Sequence, residues 1–202
     1  MAYSDFTLER VAQSLGVTTQ QGELFDSVPA VGVTAWLRES LDKRTQLALS
    51  SEKARSEFIV APILLTSRDL SPVPLAIHSG QRLDVDPSKG LVGECDFILA
   101  IAPSVPPLRG PIATIVEAKK NDIEAGLGQC IAQMVAADLF NQAAGHSGPI
   151  YGCVTTGEVW QFLQLVGPTA ILDQRRYYLH ELTSILGAIQ AIIVRSIPIE
   201  PV

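Results

Sequence analysis

The feature that most constrains this chain is a change of hydrophobic period near residue 70. Before it, apolar residues recur every three or four positions, which lays a stripe along a helix. After it they alternate, as in a strand with one buried face. "SDFTLERVAQSLG" predicts a first helix, with Ser4 or Asp5 as N-cap, Phe6, Leu8, Val11 and Leu15 on one side and Gly16 as its stop. A second helix is expected from about Thr34 to Leu49. Ser50 or Ser51 caps a third, "SEKARSEFIVAPILLTS", which Pro62 should kink or end. Beyond it, "VPLAIHSG", "GECDFILAIA" and "PIATIVEAKK" read as strands, with "PSVPPLRGP" closing the last two as a hairpin. A helix from about Ile123 to Ala144 follows, then the strands "IYGCVTT" and "VWQFLQLV" around a Thr-Gly-Glu turn, and a last helix from Leu182 to Arg195. Helix, three strands, helix, two strands, helix is the order of a mixed α/β sheet covered by helices.

At 202 residues the chain fits one compact domain that needs no disulfide or metal staple. Residues 1–50 read as a helical decoration on a main unit spanning 51–202. The composition is oily, 47% hydrophobic, yet no apolar run approaches the roughly 18 residues of a membrane span. The surplus points to a large core or to a subunit interface. "ILGAIQAIIV", apolar nearly all round, leads us to expect a homo-oligomer, most simply a dimer. "MAYSDFTLER" has no signal-peptide character, so a cytoplasmic location is expected. Cys95, Cys130 and Cys153, odd in number and far apart, suit reduced core thiols. A net charge of -6 offers no global field for nucleic acid, so any such surface must be built locally.

In "ATIVEAKKND" an apolar strand runs into charge with no turn residue between. Side chains two apart on a strand share a face, so Glu117 and Lys119 project together while Val116 and Ala118 point the other way. Asp96 in "GECDF" is likewise a charge set against apolar residues, and a hairpin brings it to Glu117. Carboxylates held together raise each other's pKa unless a positive group sits between them. Magnesium, or manganese in its place, meets that need with two carboxylates, the backbone carbonyl of Ala118 and several waters. Lys119 beside the ion can orient water or neutralise charge developing on a phosphate.

"GECDF" followed by "VEAKK" resembles the D and (D/E)xK elements of the PD-(D/E)XK, or restriction-endonuclease-like, nuclease superfamily. "YGCVTTGEVWQFL" is similar to the strand-turn-strand of nuclease-like domains in type I restriction subunits. The resemblance covers roughly residues 50 to 166. It implies an α-β-β-β-α-β core and a hydrolase that cuts phosphodiester bonds, most simply in DNA. It also implies a metal-assisting glutamate on the preceding helix, Glu57, with Glu52 as the alternative. A glutamine on the following helix is implied too: Gln129, with Gln133 where the family's QxxxY places tyrosine.

Plainer meanings stand beside these. Glu-x-Lys on a strand is commonly a solvated face, and Asp96 alone is commonly a strand-end carboxylate. Asp84 and Asp86 in "LDVDP" read as a polar loop, and His78, His146 and His180 are too isolated for a metal cluster or triad. "AGLGQ" lacks the P-loop lysine and reads as a turn into its helix. A non-catalytic nuclease-like binding or assembly module is the alternative to the enzyme, and the joint presence of Asp96, Glu117 and Lys119 argues for chemistry.

Overall fold

A computed structural model describes residues 1–25, 27–47 and 49–198. Thr7 caps α1 (Leu8–Leu15) by accepting from Arg10 N, and Gly16 ends it in the left-handed conformation. The cap is therefore Thr7; Ser4 and Asp5 lie in a preceding 3-10 turn, Tyr3–Asp5. Strand β1 (Thr18–Gly22) follows directly, so the first fifty residues, expected to be helical, also supply a strand. Thr34 caps α2 (Ala35–Lys43), which buries Leu37 and Leu41. The helix expected to reach Leu49 ends at Lys43 and passes into a 3-10 turn, Arg44–Gln46; Ala48 lies outside the described residues, as do 199–202 of the expected main unit.

Ser51 caps α3 (Glu52–Arg55) through Ala54 N, and a π-turn (Ser56–Val60) joins it to α4 (Ala61–Asp69). Pro62 neither ends nor interrupts this helix. It lacks the N–H that Phe58 O would receive, and the widened turn just before it is where the helix absorbs that loss.

Strands β2 (Ala76–Arg82), β3 (Glu94–Ala100) and β4 (Ile112–Ala118) form an antiparallel meander. Helix α5 (Glu124–Ala143) crosses over to β5 (Ile150–Thr155), which lies parallel to β4. Strands β6 (Val159–Val166) and β7 (Thr169–Tyr178) continue antiparallel, and β1 closes the edge parallel to β7. The result is one seven-stranded mixed sheet of order β1-β7-β6-β5-β4-β3-β2 flanked by helices, two strands more than the alternation suggested.

Each face carries its own core. On one, α1 and α5 cover Ile98, Ile115 and Val154 with Val11, Leu127, Cys130 and Ile131. On the other, α2, α4 and α6 (Leu182–Arg195) bury Leu37, Ile63, Leu64, Ile185, Ile189 and Ile193 against Phe97, Val116, Tyr151 and Phe162. Most of the apolar girth of α6 is thus satisfied within the chain, with Val194 left exposed, and it does not by itself argue for a dimer. All three cysteines are free and buried. Among the described residues no helix is long and apolar enough to cross a membrane.

Candidate active site

The hairpin β3–β4 pairs Phe97 with Val116, and one step further along the same register sets Asp96 opposite Glu117. The strands part here, and the Asp96 carboxylate fills the gap: Oδ2 accepts from Ala118 N at 2.7 Å. A strand residue sends its N–H and C=O off the same edge, so the Ala118 carbonyl also leaves toward Asp96. Lys119 N points the other way, donating to Thr155 O at 2.7 Å, which carries the pairing with β5 one residue past the strand.

The side-chain alternation holds. Lys119 Nζ lies 2.7 Å from Glu117 Oε1, while Lys120 is exposed. Helix α5 reaches down on the same face with two glutamines one turn apart. Gln129 Oε1 accepts from Lys119 Nζ at 3.1 Å, and Gln133 Nε2 donates to Glu117 Oε2 at 3.0 Å. Gln133 is fully buried and its own Oε1 has no partner among the described residues. The close approach of α5 depends on glycine: a Cβ on Gly126 would stand 2.6 Å from Val154 Cγ1 and 3.0 Å from Lys119 Cγ. "AGLGQ" is therefore not a turn into the helix; Glu124 begins it, and both glycines lie inside.

The electrostatics are those of a site short of positive charge. Burial pushes Glu117 up to about 7, the Asp96 charge adds to this, and Lys119 and Gln133 oppose it. Burial raises Asp96 as well; the Ala118 amide and Lys119 pull it down, and Glu52 and Glu94 push it up. For Lys119 burial alone favours the neutral amine, but the field and hydrogen bond of Glu117, with Glu52 and Asp96 behind, prevail and hold it protonated. The opening to solvent is at Asp96 and Lys119, since only 2% of the Glu117 side chain is exposed against 19% of Lys119.

Of the two helical glutamates, Glu52 is the one whose charge reaches Asp96 and Lys119. Glu57 is half exposed and stands 3.8 Å from Lys53. The structure thus brings Asp96, Glu117, Ala118, Lys119 and Gln129 together and leaves Glu57 facing Lys53. Gln133 entered the sequence reading only as a stand-in for tyrosine; its contact with Glu117 follows from the four-residue spacing to Gln129.

Two carboxylates, one of whose oxygens, Asp96 Oδ1, takes no hydrogen bond among the described residues, and a carbonyl on the same edge suit a hard cation that keeps waters. Among the described residues no three His, Cys, Asp or Glu side chains converge in ligating geometry, and an ion here would need backbone or water oxygens beside the two carboxylates. Each Glu117 oxygen, though hydrogen bonded once, retains a second lone pair for it. No protein-family model matches the chain, and no curated protein matches it significantly.

Proposed function

We propose that this chain is a magnesium- or manganese-dependent nuclease hydrolysing phosphodiester bonds, in DNA, on a restriction-endonuclease-like core. The observation that carries this reading is the pair of largely buried carboxylates, Asp96 and Glu117, set opposite each other with Lys119 hydrogen bonded beside them. The order α3–α4, β2–β3–β4, α5, β5 supports the core, and the excess of negative charge in the cluster supports a cation.

Asp96, Glu117 and the Ala118 carbonyl would hold the ion, with Glu52 near enough to add its field. Bound there, a divalent cation polarises a phosphoryl oxygen and acidifies water. The chain's own groups do the rest. Lys119, kept protonated by Glu117, presents Nζ to a non-bridging phosphate oxygen and stabilises the charge that grows on it. Gln129 fixes where Nζ points, and Gln133 fixes the plane of the Glu117 carboxylate. Burial of Glu117 keeps bulk water from its inner oxygen.

One feature favours the non-catalytic alternative: Lys119 and Gln133 already engage both oxygens of Glu117. A calorimetric titration with Mn²⁺, run beside cleavage of plasmid and oligonucleotide DNA, separates the two. The nuclease reading requires one binding event and cleavage, both lost in Asp96→Asn and Glu117→Gln. Absence of both in the native protein overturns it.

A further inference from the structure

Arg55 has no part in the chemistry described, yet its surroundings tie it to the site. It lies on α3 three residues after Glu52, the helical acid whose field reaches Asp96 and Lys119, and so lies on nearly the same side of the helix. Its Nη1 donates at 3.1 Å to the carbonyl of Thr156. Thr156 directly follows Thr155, whose carbonyl receives Lys119 N. The guanidinium therefore stands on the rim of the cluster, against the turn that continues β5.

That turn is self-sufficient. Gly157 N donates to Thr155 Oγ1 at 2.8 Å, Val159 N to Thr156 Oγ1 at 3.2 Å, and Trp160 Nε1 to Gly157 O at 3.0 Å. A pin on Thr156 O needs one N–H, and Arg55 brings five. Its Nε is buried without a partner, and no carboxylate lies within ion-pair distance of it among the described residues. Arg44, at the same turn, shares the buried Nε without a partner but differs in that its Nη1 lies 3.4 Å from Glu158. A partly buried guanidinium with open donors and no paired carboxylate can receive an anion without breaking an ion pair, and its donors gain the partner they lack. The planar fork of arginine matches a phosphate, and binding to a strand's phosphates is what fixes its register on a protein.

We infer that Arg55 is a phosphate contact for the nucleic-acid strand entering the site, gripping the backbone beside the position Lys119 serves. The inference rests on the nuclease reading. It assigns Arg55 affinity and register, with no role in metal binding.

The test is fluorescence anisotropy of a labelled DNA oligonucleotide, and of RNA of the same sequence, with native protein and variants in EDTA from 50 to 200 mM salt. Arg55→Gln should weaken DNA binding roughly five- to tenfold and lower the slope of log affinity against log salt by about one. Arg55→Lys keeps the charge and should keep the slope, with a loss of only a few-fold. Mn²⁺ affinity by calorimetry should be unchanged in both, which separates a phosphate contact from damage to the cluster. Arg68→Gln, at the far end of α4, is the control. If Arg55→Gln matches Arg68→Gln in affinity and slope while the native protein binds and cuts DNA, this inference alone is overturned. If the native protein binds neither nucleic acid in EDTA, this inference falls, and if it also neither binds Mn²⁺ nor cuts DNA, the nuclease reading falls with it. Equal effects on RNA and DNA support a contact to phosphate; an effect confined to one of them overturns a purely backbone role.

Discussion

Lys119 Nζ and Glu117 Oε1 are 2.7 Å apart, joined across two residues at the end of β4, with Gln129 and Gln133 of α5 holding the amine and the carboxylate in turn. The pair does not neutralise the cluster, because Asp96 adds a second carboxylate and Glu52 a third field. From that imbalance the following outcomes are expected.

Saturating Mn²⁺ should raise the melting temperature, since an ion bound only by the folded chain stabilises it by RT ln(1 + [L]/Kd), about 2.7 kcal/mol at one hundred times Kd. Asp96→Asn should abolish the increment. It should also stabilise the metal-free protein, by roughly 1 kcal/mol, because a desolvated like charge leaves Glu117 while the amide side chain can still accept from Ala118 N. Differential scanning calorimetry with and without Mn²⁺ checks both; a metal increment surviving in Asp96→Asn removes Asp96 from the ligand set.

The two lysines of "EAKK" should behave differently. Lys119→Ala should lower cleavage roughly a hundredfold with metal binding retained, as loss of a donor to developing charge does elsewhere. Lys120, exposed and pointing away from the cluster, should cost less than threefold as Lys120→Ala by the same reasoning. Steady-state rates on one DNA substrate decide, and equal losses would show that the strand alternation does not govern function.

The alternation behind that contrast was readable in the sequence, as were the β3–β4 hairpin, α5 and the pairing of Asp96 with Glu117. All depend on period and on connections local in sequence. Strand β1, "TTQQG", was not, because it is an exposed, polar edge strand whose only structural reason is its partner β7, about 150 residues away. Strand β7 hid for a related cause: Asp173, Arg175 and Arg176 break its apolar alternation, and the burial of Asp173 and the bonds of the three to Tyr177, Glu181, Gln161 and Glu124 become visible only in three dimensions. The choice between Glu52 and Glu57 turned on where a helix begins and on a π-turn that shifts its register. A hydrophobic period does not report either.

The acid stability of the metal-free protein should run opposite to that of an ordinary carboxylate protein in one window. Glu117 titrates near 7 when folded and near 4.5 when unfolded, so between these values the folded chain binds the extra proton and stability falls as pH rises. The full difference is of the order of 3 kcal/mol, present below about pH 4.5 and lost by pH 8. Urea unfolding in EDTA across this range measures the slope, and Glu117→Gln should flatten it. A native slope of the opposite sign throughout would show Glu117 to be ionised at all these pH values.

Gln133→Met keeps the volume of a buried side chain and removes both its donor to Glu117 and its unpartnered oxygen. Because the loss of one outer hydrogen bond to a ligand typically costs 10–100-fold in metal affinity or activity, Mn²⁺ binding should weaken about tenfold. Calorimetric titration checks it. Unchanged affinity would mean that Lys119 alone orients Glu117.

Glycine at 126 and 128 gives the sharpest separation of site from scaffold. A Cβ at Gly128 meets backbone, Phe6 O and Thr7 C at 2.5 Å, so Gly128→Ala must push α5 away from the segment leading into α1. A Cβ at Gly126 meets the fully buried Val154 at 2.6 Å and the flexible stem of Lys119 at 3.0 Å, and of these the lysine can move. Alanine favours a helix over glycine by about 1 kcal/mol, which offsets part of an overpacking cost of about 1–3 kcal/mol. Gly126→Ala should therefore lose at most about 2 kcal/mol of stability by that balance, while Lys119 leaves Glu117 and cleavage falls nearly as far as in Lys119→Ala. Gly128→Ala should show the reverse, a larger drop in melting temperature with the rate per folded molecule preserved. Melting curves and rates measured on the same preparations test the contrast, and a native rate in Gly126→Ala would show that the position of Lys119 does not depend on how closely α5 approaches β5.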